Sequence, residues 1–189
     1  MFAKIAERLT QQLENENVII HEKRELYRYG FQNGLILTLN FLTSIIVGVA
    51  LGEVLSSILL LAAYIPLRSY AGGYHASTPR RCYFISIVII MEMLLFIGYV
   101  DLSIIYIILL LVGIVVCFAF APVEDKNKPL DRDEISVFKK RAYLILSIEF
   151  FIWLAVSVIF QPIEKTIPIV MFTESLMLVI GKLKLSKYS

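Results

Sequence analysis

Long apolar runs, separated by short polar or basic segments, dominate the pattern of this sequence. Charge-free stretches extend over 29–52, 54–67, 82–91 and 102–123. An α-helix needs about 20 predominantly apolar residues to cross the hydrocarbon core of a bilayer. The pattern therefore predicts an all-α integral membrane protein, and the mean hydropathy of +0.76 agrees with that class.

Six membrane helices, paired as three helical hairpins, are predicted from these runs. Segment 54–67 is shorter than a full crossing, so a re-entrant course for it, with four crossings in total, stays open. The length fits one domain, with an arm at 1–33, a bundle at 34–181 and a tail at 182–189. The predicted crossings are 34–52, 54–67, 83–100, 102–121, 143–160 and 165–181.

Lysine and arginine residues predict the orientation. Of the 18 basic residues, all except Lys165 fall in the N-terminal arm, the 68–82 connection, the 122–142 connection or the C-terminal tail. Basic residues favour cytoplasmic loops, so this distribution places both termini and both long connections in the cytoplasm. The net charge of +2 is explained by these loops and gives no reason to expect nucleic-acid binding.

The N-terminal arm carries an amphipathic pattern. Phe2, Ile5, Leu9 and Leu13 recur at helical spacing, with charged and amide side chains on the other faces. Two arrangements fit this pattern equally well. The helix can lie on the membrane surface, or it can pack as a solvated arm on the protein itself.

Three glutamates interrupt the apolar runs. Because an ionisable group in hydrocarbon is costly, Glu92, Glu149 and Glu174 are expected to face the bundle interior or a wet cavity. Structural hydrogen bonding is favoured over a chemical role for them. Cys117 is assigned to the core. The two cysteines and two histidines predict no disulfide or metal framework, and no cofactor is expected.

The 68–82 connection, RSYAGGYHASTPRRC, concentrates residue types that nucleophilic catalysis uses. On one straight helix His75 and Cys82 would lie about 10 Å apart along the axis. A base must come within about 3 Å of the proton it removes, so the chain between them must break the helix. Thr78-Pro79 predicts a new helix start, because threonine is a good N-cap and proline is favoured at the first helical position.

This arrangement predicts a Cys–His dyad. Cys82 would lie near a positive helix end and near Arg80 and Arg81, which favour a thiolate. His75 precedes the cap and can fold back, and Gly72-Gly73 allow a sharp turn. The thiolate would attack a carbonyl, and the imidazole would take the thiol proton and return one to the leaving amine. From spacing alone, a loop without chemistry is the alternative.

The run R-x-x-x-G-G-x-H-A and the cysteine that follows it resemble the accessory gene regulator B family, bacterial membrane peptidases of quorum-sensing systems. YGFQNG at 29–34, APVEDKNKPL at 121–130 and FKKRAY at 138–143 give softer support. The resemblance implies removal of the C-terminal tail of a small propeptide, with the remainder held on the enzyme as a thioester. A cysteine or serine of the peptide then closes a thiolactone or lactone ring.

The resemblance also implies roles for single residues. Cys82 would be the nucleophile and His75 the base. Arg68 and Gly73 match family positions that shape the loop. Gln32 matches a polar position that would orient the imidazole or stabilise the oxyanion.

The resemblance also implies a basic run that binds the substrate and a homodimeric state. The family's basic run before a Lys-Pro step is interrupted here, because Asn127 separates Lys126 from Lys128. These lysines would hold an acidic propeptide tail with fewer charges. The resemblance further implies a homodimer in the bacterial cell membrane, surrounded by lipid, with its active site on the cytoplasmic side.

Two other functions compete with the enzyme. An exporter of a small peptide or solute would use the intramembrane glutamates as pathway groups, although the chain is short for a carrier and shows no clear repeat. A non-catalytic membrane scaffold would be indifferent to the loss of Cys82.

Overall fold

The computed structural model describes residues 2–76, 78–124 and 130–186. Within these ranges the chain forms seven α-helices, a short 3-10 turn at His21–Lys23 and no strand beyond an isolated bridge between Gly72 and Val123. The predicted all-α class is confirmed. The helices are α1 (Phe2–Asn15), α2 (Arg24–Leu51), α3 (Val54–Ala71), α4 (Pro79–Tyr99), α5 (Ser103–Phe120), α6 (Arg132–Val156) and α7 (Gln161–Ser186).

Five helices of the described part of the chain, α2, α3, α4, α5 and α7, are long and apolar enough to cross a membrane. The segment predicted at 54–67 belongs to a continuous helix of 18 residues, Val54–Ala71. The sixth predicted crossing, in α6, has a shorter apolar part, because its basic first turns extend to Arg141 and Glu149 follows. Helices of this length and composition are those of a multi-pass membrane protein.

The central helix of the bundle is α7, which packs against α5, α3 and α6. Its residues from Thr166 to Met171 are all buried. On α5, Cys117 is fully buried, and its Sγ lies 3.8 Å from the carbonyl oxygen of Met171. The prediction that Cys117 belongs to the core is confirmed.

The helix pairs differ in part from the three predicted hairpins. Helix α2 packs on α3, where the Ser57 hydroxyl donates to the Ser44 carbonyl at 2.9 Å. Helix α4 packs mainly on α2 rather than on α5, which packs mainly on α7. The short α4–α5 connection brings only the helix ends together, where the Tyr106 hydroxyl donates to the Val100 carbonyl at 2.8 Å. Side-chain packing decides the partners beyond that point.

Helix α1 packs on the start of α2, as the second of the two arrangements for the arm predicts, and its contact with a membrane surface stays a prediction. Ala6 and Thr10 are fully buried in this contact. The Arg24 guanidinium pairs with Glu7 at 2.5 Å and with Glu14 at 3.2 Å. The hydrogen bond from Arg24 lowers the pKa of Glu7 below its ordinary value.

Two of the three glutamates in apolar segments lie inside the bundle as predicted. Glu149 is 6% exposed and Glu174 is 0% exposed. Glu92 is exposed on α4 and lines a groove of about 210 Å³ with residues of α5 and α7, so it faces a cavity rather than the packed interior. Met93, which lines the same groove, and Ile97 are buried on that helix.

Candidate functional site

The connection between α3 and α4 begins with two glycines in the left-handed region. Gly72 has φ +77° and Gly73 has φ +103°. The Gly73 amide donates to the Val123 carbonyl at 3.0 Å, and the Val123 amide donates to the Ala71 carbonyl at 2.9 Å. A Cβ on Gly73 would lie 2.9 Å from the Met177 carbonyl oxygen. Both the backbone angle and the lack of space therefore require glycine at position 73.

Arg68, in the last turn of α3, connects this backbone to the interior of the bundle. Its guanidinium donates to the carbonyl oxygens of Gly72 and Tyr74. Its Nη1 also lies 3.4 Å from a carboxylate oxygen of Glu174 on α7. The Arg68 side chain is 19% exposed and that of Glu174 is 0% exposed, so the ion pair lies inside the protein.

His75 follows directly on this anchored backbone. The Tyr74 amide donates to the Met177 carbonyl at 2.8 Å. The Lys184 Nζ donates to the His75 carbonyl at 2.6 Å. The His75 residue itself is exposed. The main chain on both sides of the imidazole is thus held by α7, while its side chain lies at the surface.

Cys82 lies near the start of α4. Thr78 has extended backbone angles and its hydroxyl accepts from the Arg81 amide at 3.3 Å, so Thr78 is the N-cap and Pro79 the first helical residue. The Cys82 amide donates to the Thr78 carbonyl at 3.0 Å. The predicted helix start is confirmed. Its origin is local, since the threonine side chain satisfies an amide left free at the helix end.

The surroundings of the Cys82 thiol are partly enclosed. Cys82 is half-buried and is a free cysteine. It lies near enough to Arg68 and Tyr64 for a thiolate to interact electrostatically with both side chains. The Arg68 guanidinium therefore contributes positive charge at the thiol as well as hydrogen bonds to the His75 segment.

Gln32 and the two lysines of the 122–142 connection are placed differently. Gln32 is half-buried on α2. The Thr43 hydroxyl of the same helix lies 2.8 Å from the hydroxyl of Tyr83, the neighbour of Cys82. On a straight helix Gln32 is about 16 Å along the axis from Thr43. Its role at the site stays a prediction. Lys126 and Lys128 lie outside the described residues.

Three residues of α7 belong to this site although the sequence pattern did not single them out for it. Glu174 contacts Arg68, Gly181 lies against the backbone of Gly73, and Lys184 contacts His75. Their spacing of seven and three residues places them on one face of the helix. That spacing, around a glutamate in an apolar run, is the signal that could have identified them.

A separate apolar groove lies between α3, α6 and α7. Its volume is about 330 Å³. Two buried polar atoms on its lining residues, Glu149 Oε2 and Thr166 Oγ1, have no hydrogen-bond partner in the described part of the chain. None of the residues that line this groove belongs to the 68–82 connection. Pro66, which does line it, lies on α3 just before the connection begins.

These features define a multi-pass helical membrane protein in which a histidine on an anchored connection precedes a cysteine near a capped helix start. The chain belongs to the AgrB family, accessory gene regulator B, whose sequence model matches residues 4–178. The family resemblance predicted from the motif is confirmed. Membership connects the chain with the processing of quorum-sensing peptides.

Two proteins of Clostridium perfringens, both described as AgrB-like, are similar to this chain. The protein from strain 13 is 27% identical, over 78% of this chain and 72% of its own length. The protein from strain SM101 is 26% identical over the same shares. No solved structure matches the chain.

Proposed function

We propose that this chain is a membrane cysteine endopeptidase that cleaves a small quorum-sensing propeptide and cyclises the product. The observation that carries the proposal is the placement of Cys82 near the capped start of α4, after a connection whose histidine-bearing segment is anchored. A cysteine nucleophile is activated by a helix N-terminus, by nearby arginines and by a histidine base, and all three features belong to this connection.

The first half of the reaction is cleavage. The Cys82 thiolate attacks the carbonyl carbon of the scissile peptide bond, after His75 has taken the thiol proton. The C–N bond then breaks, and His75 gives that proton to the leaving amine of the C-terminal tail. The N-terminal part of the propeptide stays on Cys82 as a thioester.

The second half is ring closure. A thiol or hydroxyl within the bound peptide attacks the thioester carbonyl and gives its proton to His75, and as the C–S bond breaks Cys82 leaves and takes that proton back. Water competes with this internal nucleophile. The surrounding apolar helices favour the ring by limiting the access of water, and tethering raises the effective concentration of the peptide nucleophile.

The chain crosses the membrane six times in this proposal. Six crossings, with α6 as the sixth, place both termini and the 68–82 connection on the cytoplasmic side, where basic residues are favoured. All basic residues except Lys165 then lie on that side. Lys126 and Lys128 would bind the acidic tail of the propeptide, the bundle would be surrounded by lipid as one domain, and a homodimer would be the assembled form.

Reconstitution of the full chain in proteoliposomes tests the proposal. The substrate is a synthetic propeptide with an amphipathic leader, a cysteine-containing core and an acidic tail. We expect mass spectrometry to show the released tail and a cyclic product, and Cys82→Ala to yield neither. Processing that survives Cys82→Ala would contradict the proposal. A scaffold predicts no processing at all, and an exporter predicts movement of the intact peptide.

A further inference from the structure

We propose that Glu174 is a positioning residue for peptide cleavage, which acts through Arg68 to hold the backbone that carries His75. The inference rests on the proposed dyad of His75 and Cys82. It assigns a role in the reaction to a helix that the motif does not include. Glu174 lies on α7, about a hundred residues along the chain from the connection it supports.

The burial of Glu174 is the first observation. A carboxylate with 0% exposure inside an apolar bundle is costly, and the 3.4 Å contact with Arg68 partly offsets this cost. Its other oxygen, Oε2, has no hydrogen-bond partner in the described part of the chain. Buried ion pairs contribute little to stability on average, so stability alone is a poor explanation for this one. What the pair does is fix the Arg68 guanidinium at one place.

The second observation is what Arg68 does at that place. Its two terminal nitrogens donate to two carbonyls of the same connection, those of Gly72 and Tyr74. These carbonyls lie within three residues of His75, so a shift of the guanidinium moves the segment that carries the imidazole. The planar fork of arginine can bond both carbonyls and the carboxylate, which the single ammonium of a lysine cannot reproduce.

The third observation is the close packing of α7 against the same segment. Gly181, two turns after Glu174, has no space for a Cβ, which would lie 2.6 Å from the Gly73 carbonyl carbon. The Met177 carbonyl and Lys184 Nζ bind the main chain at Tyr74 and His75. One face of α7 therefore holds the connection by main-chain contacts, and the Arg68–Glu174 pair holds it from the α3 side.

The expected consequence concerns the rate of cleavage more than peptide binding. A catalytic group displaced by about 1 Å can cost about 100-fold in rate. Glu174→Gln keeps the side-chain shape and removes the charge. We expect it to lower kcat for the synthetic propeptide about 10-fold to 100-fold while KM changes much less. KM should change little because Glu174 is fully buried and has no access to a bound peptide.

A substrate-free measurement separates positioning from a simple charge effect. The rate of Cys82 alkylation by iodoacetamide is followed against pH in full-length protein carrying Cys117→Ala. Removing the negative charge that Glu174 places beside Arg68 would favour the thiolate and move the profile to lower pH. Loss of His75 positioning moves it instead to higher pH, toward the profile of His75→Ala. We expect the second result for Glu174→Gln.

Two further variants keep the test decisive. Glu149→Gln removes the other buried carboxylate and does not touch the connection, so its profile and kcat should equal those of the parent. Arg68→Lys keeps the charge opposite Glu174 and loses the fork, so it should behave like Glu174→Gln. If Glu174→Gln is poorly folded in detergent, its alkylation profile is measured in proteoliposomes, and Arg68→Lys tests the guanidinium half of the pair.

The outcomes distinguish this inference from the proposed function. A parent protein whose alkylation profile is the same with and without His75 would overturn the dyad and this inference together. A parent that depends on His75, with Glu174→Gln and Arg68→Lys both unchanged, would overturn the role of Glu174 alone. An equal shift of the alkylation profile in Glu149→Gln would also overturn the role of Glu174, since the loss of any buried carboxylate would then have the same effect.

Discussion

Lys184, near the end of α7, donates a hydrogen bond of 2.6 Å to the backbone carbonyl of His75. Its Nζ also lies 5.1 Å from the centre of the Tyr74 ring. The end of the last helix thus reaches the connection that carries the proposed base. This contact joins two parts of the chain that lie more than a hundred residues apart in sequence.

The Lys184 contact predicts a moderate loss of activity in Lys184→Met. One hydrogen bond to a charged donor contributes about 1.5 to 3 kcal/mol, and exposure of the pair reduces this. We expect propeptide processing to fall about 3-fold to 10-fold, which corresponds to about 1 kcal/mol. Lys182→Met is the matched control, because Lys182 lies over the Phe120 ring instead. Equal losses in both variants would contradict a specific role for Lys184.

Gly181→Ala is predicted to destabilise the protein. The added Cβ would meet the Gly73 carbonyl carbon at 2.6 Å, so α7 and the connection must move apart. Overpacking of this kind costs about 1 to 3 kcal/mol. Thermal unfolding in detergent should show a lower midpoint, and peptide processing should fall with it.

The control for this substitution is Gly34→Ala on α2, where a Cβ would meet nothing within 4 Å. Alanine is favoured over glycine in a helix by about 1 kcal/mol. This variant should unfold at the same or a higher temperature. If Gly181→Ala unfolds at the parent temperature, α7 does not approach the connection as closely as the contact between Gly181 and Gly73 indicates.

Replacement of Glu149 by an apolar residue should stabilise the protein. Glu149 is 6% exposed and its Oε2 has no hydrogen-bond partner in the described ranges. A buried unsatisfied polar group costs about 1 to 3 kcal/mol, so Glu149→Leu should raise the unfolding midpoint. Processing of the propeptide should be unchanged. Loss of peptide export with normal cleavage would instead favour a pathway role for this carboxyl.

The contact between α1 and α2 should weaken in acid. Because Arg24 lowers the pKa of Glu7, the ion pair stabilises the docked helix above the ordinary glutamate pKa of about 4.3. That stabilisation is lost as the pH falls through the lowered pKa of the folded state. Spin labels at Ala3 and Leu26 should show a single short distance at pH 7 and a broader distribution at pH 3.

The variant Glu7→Gln serves as the control for this titration. It lacks the titrating carboxylate, so its label distances should depend less on pH than those of the parent. A parent whose distances are unchanged at pH 3 would contradict the role of the Glu7–Arg24 pair in docking α1.

The sequence predicted the local parts of the site better than the distant ones. Thr78-Pro79 marks a helix start through side-chain and backbone effects that act within one turn, and this prediction is confirmed. The Arg68–Glu174 pair depends on how α3 and α7 pack, which a local pattern does not specify. Gly181 opposite Gly73 depends on the same packing.

Glu92 shows the limit of reading burial from an apolar helix. The residues around it in α4 are almost all apolar, so the periodic pattern does not define which face is buried. The cost of a charge in hydrocarbon suggested the interior or a wet cavity, and Glu92 is exposed on the lining of a groove between α4, α5 and α7. Packing of α4 on α2 sets that orientation, with the Thr43–Tyr83 hydroxyl contact at one end.

Alkylation of Cys82 against pH tests, without any substrate, whether His75 activates Cys82. Full-length protein carrying Cys117→Ala is compared in proteoliposomes with the same protein carrying His75→Ala. We expect Cys82 to react well below the ordinary thiol pKa of about 8.5, and this reactivity to be lost without His75. Titration of Cys82 near 8.5 in both proteins would contradict this expectation.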